Sequence, residues 1–231
     1  LNDTHPAMSI PELIRLLMNE GMSFDEGFEI ARKTFSYTNH TVLGEALEKW
    51  PLNLMRSVVP QIADIICKID HKMRTEIPMD FQERRAKKLF IVDEDIVHMA
   101  NLSIYVGSYV NGVAEIHSQI LKDDCFKNWY KVFPERFQNK TNGITPRRWV
   151  GLCNPELSNL IREKVGGDFL KDLELISGMN EHLDDETVKR FNAIKRIKKE
   201  QLCNVIAKNE RVMLNPDFMF DVQVKRLHMY K

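Results

Sequence analysis

The strongest constraint on the fold is a helical pattern of apolar residues between positions 60 and 75. Ile62, Ile65, Ile66 and Ile69 recur at the spacing that places side chains on one face of an α-helix. Such a helix is stable mainly through packing of that face, and 43% of the 231 residues are hydrophobic. The chain is therefore expected to fold around a sizeable core that contains this helix.

Two further helices are predicted before it by their end signals. Residues 9–12 place a proline in a first turn, and Gly21 ends the helix that they open. Ser23 and Glu26 stand at capping-box spacing, which predicts a second helix that runs to about Tyr37. Helices are therefore expected to dominate the fold.

Strand patterns are fewer and shorter. A short strand is predicted near 103–106, and residues 219–227 alternate apolar and polar side chains as a half-buried strand does. Helical patterns fill most of the remainder to about residue 208, and Thr-Asn-Gly at 141–143 signals a turn. The sequence predicts a helix-rich α/β fold, with the best domain boundary in the polar segment 137–146.

Composition and charge exclude several classes of protein. The net charge is zero, which argues against a nucleic-acid partner. No segment approaches the roughly 20 apolar residues that span a bilayer, so no membrane partner is expected. The four cysteines are far apart, which disfavours a structural zinc site and a disulfide framework. We therefore expect a cytoplasmic protein with reduced thiols and without a bound metal.

The two ends of the chain suggest part of a longer protein. The sequence begins at Leu1 rather than at a methionine, and it stops at Lys231, a few residues after the predicted strand. A strand at that position normally needs a following helix to cover it. We therefore expect an internal stretch of a larger polypeptide.

Two polar loops are candidates for ligand contacts. The first contains Asp3 and His5, an acid and an imidazole suited to sugar hydroxyls, although a turn with a helix cap is the simpler interpretation. The second, at 37–43, places five hydrogen-bonding side chains in succession around His40. A histidine satisfied within a loop is an equally good explanation of that segment.

Basic residues form a third candidate cluster near the end of the chain. Lys225 and Arg226 are adjacent at the end of the predicted strand, and Lys231 follows six residues after Lys225, which suits an anion such as phosphate. A solvated charged turn explains them about as well. The basic runs at 84–88 and 195–199 are predicted to be solvated helix faces. These three clusters alone do not identify the reaction that the protein would catalyse.

Longer strings of residues carry more specific information than these clusters. They are LNDTHP at 1–6, YTNHTVL at 37–43, VNGVA at 110–114, IHS at 116–118, FQNKTNGITPRRW at 137–149 and KRLH at 225–228. In order and approximate spacing they resemble the glycogen, starch and maltodextrin phosphorylases, the α-1,4-glucan phosphorylase family. The resemblance covers nearly the whole chain.

The resemblance implies a GT-B fold of two Rossmann-like domains, represented here only in part. It places the end of the N-terminal domain at 1–141 and the start of the C-terminal domain at 142–231. Members transfer a terminal α-1,4-linked glucosyl unit of the glucan to inorganic phosphate, which yields glucose 1-phosphate. Pyridoxal phosphate takes part through its phosphate group, and the parent enzyme is expected to be a homodimer.

The resemblance also assigns roles to matched residues. Asp3 and His5 correspond to the loop that lines the sugar subsites. His40 corresponds to a catalytic and substrate-binding histidine that contacts the glucosyl unit at the cleavage position. Asn142 corresponds to an asparagine that hydrogen-bonds a glucosyl hydroxyl. These side chains suit the binding of a sugar ring.

The cationic positions receive catalytic and cofactor roles in the same way. Lys225 and Arg226 correspond to cations beside the cofactor and substrate phosphates, and Lys231 to a lysine near the reacting phosphate. The lysine that attaches the cofactor would lie beyond Lys231, so the 231-residue chain alone is expected to be inactive.

Three alternatives differ in class. The first is a non-catalytic glucan-binding or regulatory module. The second is a GT-B glycosyltransferase that uses a nucleotide sugar, which the strings around His40 and Asn142 disfavour. The third is a glycosidase, which is less favoured still because the loops show no convincing pair of carboxylates.

Overall fold

The computed structural model describes residues 1–224. The chain forms two compact units, and we call Leu1–Gly143 unit 1 and the part from Ile144 onward unit 2. The predicted cations Lys225, Arg226 and Lys231 lie outside the described residues, as does the end of the predicted strand at 219–227.

Unit 1 is built mainly of α-helices. In chain order they are α1 (Ser9–Asn19), α2 (Phe24–Thr34), α3 (Leu52–Val58), α4 (Pro60–Glu76), α5 (Phe81–Lys87), α6 (Met99–Val106), α7 (Glu115–Ile120) and α8 (Lys127–Val132). A π-helical segment, Leu121–Cys125, connects the last two. Among residues 1–224, no helix is both long enough and apolar enough to cross a bilayer.

Two small sheets complete unit 1. Their strands are β1 (Tyr37–Thr38), β2 (Lys49–Pro51), β3 (Val92–Asp93), β4 (Ile96–His98), β5 (Val110–Gly112) and β6 (Phe137–Asn139). The first sheet is parallel in the order β1-β5-β6, and the second is antiparallel in the order β2-β4-β3. The parallel sheet decides where the candidate site lies.

The helix ends follow from local chemistry. The capping box at α2 is present in both directions, since the Ser23 hydroxyl accepts from the Glu26 amide and the Glu26 carboxylate accepts from the Ser23 amide. Gly21 adopts φ 95°, a left-handed conformation that glycine reaches without strain and that stops α1. These features confirm the predicted boundaries between the first two helices.

The core of unit 1 confirms the predicted helix with four isoleucines on one face. Ile62, Ile65, Ile66 and Ile69 are all buried on one face of α4. This face packs against α1, α3 and α6. Burying an aliphatic side chain of this size contributes about 1.5–3 kcal/mol, so the four together are a major source of stability.

One predicted helix end and two predicted strands are wrong. Helix α2 ends at Thr34 rather than near Tyr37, because the chain must extend to enter β1. Residues 103–106 lie in α6, not in a strand; a short apolar run that is buried on all sides does not distinguish the two. The strand in this part of the chain is β5, at Val110–Gly112, a few residues after the predicted position.

The described part of the third element, residues 219–224, is irregular rather than a strand. Within the described residues of unit 2 there is no strand with which it could pair. Met219, Val222 and Val224 are exposed. Alternating apolar residues do not form a strand where no partner supplies the hydrogen bonds.

Unit 2 is helical in its described part. It contains a π-helical turn (Arg147–Leu152), α9 (Pro155–Val165), a 3₁₀ segment (Leu173–His182) and α10 (Asp185–Glu210). The Asn154 side chain caps α9 and the Asp184 side chain caps α10. Arg190 on α10 donates two 2.7 Å hydrogen bonds to Glu163 on α9. The prediction of helices to about residue 208 is confirmed.

One basic residue departs from the expected solvated helix face. Arg84, on α5, is 3% exposed. Its guanidinium donates to the carbonyl oxygens of Leu89, Ile77 and Arg74 at 3.0, 2.6 and 3.4 Å. Two of these carbonyls lie at the end of α4, where backbone acceptors have no partner within the helix. Arg84 therefore joins the ends of two helices.

The antiparallel sheet contains a half-buried histidine. The His98 ring meets Phe90 edge-on with 4.8 Å between ring centroids. Burial lowers the pKa of His98 from its ordinary value of 6.5, the nearby Lys49 charge lowers it further, and Asp93 opposes both. The folded protein therefore holds this imidazole in its neutral form more strongly than the unfolded chain does.

This shift predicts a pH dependence of stability. Because the unfolded chain binds the His98 proton more readily, the stability from the neutral ring is complete above about pH 6.5 and is lost as the pH falls below it. Urea unfolding at pH 5, 6 and 7 should show a smaller loss of stability in His98→Gln than in the parent chain. His71→Gln, which removes an exposed histidine of α4, should leave the loss unchanged. If the free energy of unfolding fell with decreasing pH equally in His98→Gln and in the parent chain, the prediction would be contradicted.

Candidate functional site

The candidate site lies at the carboxyl edge of the parallel sheet in unit 1. Strands β1, β5 and β6 run in the same direction, with Tyr37 opposite Val110 and Val110 opposite Phe137. The segments that follow them, at 39–41, 113–114 and 140–142, therefore leave the sheet at one edge. Ligands of α/β proteins commonly bind at this edge. We call it the carboxyl edge below.

The N-terminal loop joins the same edge. Asn2 forms a parallel bridge with Thr38, and the Asp3 amide donates to the Thr38 carbonyl at 2.9 Å. Asp3 adopts φ 59°, an unusual conformation for a residue with a side chain. Its carboxylate accepts from the amides of Thr4 at 2.7 Å and His40 at 3.1 Å. The Asp3 side chain therefore connects the two polar loops directly.

Glu48 extends this cluster. It accepts a 2.6 Å hydrogen bond from the Thr4 hydroxyl through Oε2. Its other carboxylate oxygen lies 3.4 Å from Nδ1 of His5, whose side chain is 75% exposed. The pair therefore presents an accessible imidazole beside a carboxylate, an arrangement that can both donate to and accept from sugar hydroxyls.

Asn39 organises the loop that carries His40. Its backbone amide donates to the Asn111 carbonyl at 2.9 Å, and its side-chain NH₂ donates to the Tyr37 hydroxyl at 3.0 Å. Its Oδ1 accepts from the Thr41 amide at 3.0 Å. Burial raises the pKa of Tyr37, so this phenol stays neutral and can serve as the acceptor. His40 is left at the tip of the loop with an exposed side chain.

His117 on α7 contacts the same loop from the other side. Its Nε2 lies 3.1 Å from Oδ1 of Asn39, and its Nδ1 lies 3.0 Å from the amide nitrogen of Val113. The Val113 carbonyl in turn accepts from the Asn142 amide at 2.9 Å. The segments after β1, β5 and β6 are therefore connected through one imidazole ring.

The structure gathers the described predicted residues at one edge. Asp3 contacts the His40 backbone directly, and His5 is connected to Asp3 through Glu48 and Thr4. Asn142 is connected to Asn39, the neighbour of His40, through Val113 and His117. Their assignment to substrate binding and catalysis stays a prediction.

Three residues of the cluster, Asn39, Glu48 and His117, received no role from the sequence. Asn39 and His117 lie inside the strings at 37–43 and 116–118, so a signal was present. Glu48 lies in the polar stretch just after the first of these. Their partners lie 44 to 78 residues away in sequence, which local patterns do not reveal.

The cluster suits hydroxyl groups rather than a metal. Its polar groups are imidazoles, amides and carboxylates, and many already bond one another. Within residues 1–224, no group of three or more His, Cys, Asp or Glu side chains is arranged to hold a metal ion. The chemistry that the described contacts display at this edge is hydrogen bonding.

Comparisons with known proteins point to one family. A family model described as carbohydrate phosphorylase matches residues 1–231. The chain is 45% identical over 238 residues to the liver form of glycogen phosphorylase from Ovis aries. It is 43% identical to the liver form from Homo sapiens and to the muscle form from Mus musculus. Each alignment covers all of this chain, which spans 28% of the length of these curated relatives.

Proposed function

Since the chain belongs to the carbohydrate phosphorylase family, we propose that it forms part of the glucan-binding cleft of an α-1,4-glucan phosphorylase. The resemblance inferred from the sequence is confirmed, and the relatives at 43–45% identity are glycogen phosphorylases. The proposed reaction transfers a terminal α-1,4-linked glucosyl unit to inorganic phosphate and releases glucose 1-phosphate.

The contact between Asp3 and His40 carries the proposal. The Asp3 carboxylate accepts from the His40 amide at 3.1 Å, although 37 residues separate them. It thereby brings together two loops that the family resemblance had assigned independently to sugar contacts. Asn142 leaves the same sheet at the same edge. Positioning several hydroxyl-binding groups around one ring is how a site orients a sugar for reaction.

In the proposed site, unit 1 binds and orients the sugar. The exposed imidazoles of His5 and His40 donate or accept hydrogen bonds to ring hydroxyls, and Glu48 holds the first of them. The backbone carbonyl of His40 would stabilise positive charge that develops on the sugar. Asn142 would contact a further glucosyl hydroxyl.

Pyridoxal phosphate belongs to the proposal only for the whole phosphorylase. At the carboxyl edge, the described contacts of Asp3, His5 and Glu48 involve neither lysine nor arginine. Two carboxylates without a cation do not suit a phosphate-bearing cofactor. The positions assigned to the cofactor and substrate phosphates, Lys225, Arg226 and Lys231, fall beyond the described residues.

The proposal also covers the fold, the oligomeric state and the cellular location of the enzyme. Unit 1 would be the end of the N-terminal domain of a GT-B enzyme, and unit 2 would begin the C-terminal domain; the division after Gly143 lies close to the expected start at residue 142. The enzyme would act on glucan and phosphate as a cytoplasmic homodimer.

Titration of the 231-residue chain with maltoheptaose tests the proposal. In ¹⁵N–¹H NMR spectra, the amides of Asp3, His40 and Asn142 should shift, with an affinity on the order of 1 mM for a shallow polar site. The amides of α9 in unit 2 should not move. Cellohexaose, which has β-1,4 links, serves as the control ligand. Shifts confined to other surfaces would overturn the proposal. So would the absence of shifts at a maltoheptaose concentration about 20-fold above the expected dissociation constant.

A further inference from the structure

We propose that His117 is a positioning residue that holds the His40 and Asn142 loops in place, as a neutral imidazole with its proton on Nε2. The effect on glucan affinity rests on the proposed function, whereas the positioning of the two loops does not. The inference follows from the hydrogen bonds on the two ring nitrogens.

The Val113 amide fixes the tautomer of His117. The Val113 amide can only donate, and it lies 3.0 Å from Nδ1 of His117. Nδ1 must therefore carry a lone pair. A neutral imidazole with a bare Nδ1 bears its proton on Nε2, 3.1 Å from Oδ1 of Asn39, so His117 donates this hydrogen bond.

The orientation of Asn39 leads independently to the same tautomer. Its Oδ1 accepts from the Thr41 amide, and its NH₂ donates to the Tyr37 hydroxyl. The amide group is therefore fixed with oxygen toward the ring. An oxygen needs a donor at Nε2, which agrees with the tautomer required by Val113. Both ring nitrogens are thus fully used within the protein.

The ring reaches both loops through short connections. On the Nε2 side, Asn39 Oδ1 also holds the Thr41 amide, so the residues on both sides of His40 are fixed. On the Nδ1 side, Val113 accepts the Asn142 amide at 2.9 Å. His117 therefore adds a side-chain connection between the two loops, beside the backbone hydrogen bond from Asn39 to Asn111.

The ring itself is held in place by close packing of α7 on the parallel sheet. Gly112 has no Cβ, which lets the Ser118 backbone approach β5. The Ser118 hydroxyl donates to Oδ1 of Asn139 on β6 at 2.9 Å, and the Asn139 side-chain NH₂ donates to the Thr141 hydroxyl at 3.1 Å. The helix that carries His117 is therefore attached to two strands of the sheet.

Two substitutions separate the two ring nitrogens. Glutamine reaches as far as Nε2 of histidine, so His117→Gln keeps a donor for Asn39 and loses the acceptor for Val113. Asparagine places its oxygen where Nδ1 lies, so His117→Asn keeps the acceptor and loses the donor. Gln119→Ala on the same helix is the control, since its side chain bonds only Asp123 among the described contacts.

Amide hydrogen exchange tests the positioning. His117→Gln should speed exchange at Val113 about tenfold and leave Thr41 protected, because the Val113 amide loses its acceptor and a lost hydrogen bond is worth roughly a factor of ten. His117→Asn should do the reverse, because Asn39 loses the donor that holds its Oδ1 in place as the acceptor of the Thr41 amide. ¹⁵N shifts of the ring in the parent chain should report Nε2–H. Equal effects of both variants at both amides, or a proton on Nδ1, would overturn the inference.

Glucan affinity provides the second readout. Both variants should weaken maltoheptaose binding about five- to tenfold, and Gln119→Ala should not. Binding that is unchanged in both variants would show that His117 positions nothing the sugar needs. If the parent chain binds no glucan, the proposed function fails, and the exchange pattern alone decides the positioning.

Discussion

Replacement of Gly112 by alanine is expected to destabilise unit 1 by about 3 kcal/mol, the upper end of the cost of overpacking. An added Cβ would lie 2.6 Å from the Ser118 hydroxyl, 2.8 Å from its amide nitrogen and 2.9 Å from its Cα. Two of these atoms belong to the backbone, so relief requires α7 to move away from β5. The same movement would pull His117 from Asn39, so loss of glucan binding should accompany the loss of stability.

Urea unfolding provides the measurement. The Trp129 indole donates to Asn101 at 3.0 Å inside the core of unit 1, so its NMR resonance reports this unit alone. Gly44→Ala is the matched control, because its Cβ would meet nothing within 4 Å and its φ is not positive. The control should stay within about 0.5 kcal/mol of the parent. If Gly112→Ala were equally harmless, the close approach of α7 to β5 would be wrong.

Loss of the Arg84 side chain is the second large effect. Arg84→Met should destabilise unit 1 by about 4 kcal/mol, because up to three carbonyls each lose a donor at a cost of roughly 1–3 kcal/mol. Burial lowers the pKa of Arg84, and the charge of Arg74 adds to this, while Asp70 opposes it. Even so, the guanidinium stays charged at neutral pH and stabilises the carbonyl ends of two helices.

Two further variants make this prediction specific. Arg84→Lys keeps the charge but has no planar fork, so it should recover only part of the lost stability. Arg85→Met removes the neighbouring, more exposed arginine, whose partners are Glu94 and Asp93 at 2.6 and 3.4 Å. That change should cost less than about 1 kcal/mol. Equal losses at both positions, measured by urea unfolding, would contradict the role of the buried guanidinium.

The helices were the part of the fold that could best be predicted from the sequence. The isoleucines of α4 and the capping box of α2 are local signals, because both patterns repeat within one or two turns. The strands of the parallel sheet gave no such signal. Each has only two or three residues, too few for an alternation to be visible. Their pairing depends on residues far away in the chain.

The candidate site, like the fold, could be predicted from the sequence only in part. Asp3, His5, His40 and Asn142 came from strings shared with a family, and they do meet at one edge of the sheet. Glu48, Asn39 and His117 act through contacts between residues that are 44 to 78 positions apart, which no short window of sequence displays. The burial of Arg84 was hidden for the same reason, since a charged residue on a helix is normally solvated.

The parallel sheet has a consequence for the order of events during synthesis. Strand β1 ends at residue 38, but its partner β5 begins at residue 110 and β6 at residue 137. Closing such long loops carries an entropic cost that local helices do not bear. A growing polypeptide can therefore form α1 and α2 early, while the sheet stays incomplete until Asn139 has left the ribosome. The carboxyl edge, where we propose that sugar binds, is therefore among the last parts of unit 1 that can form.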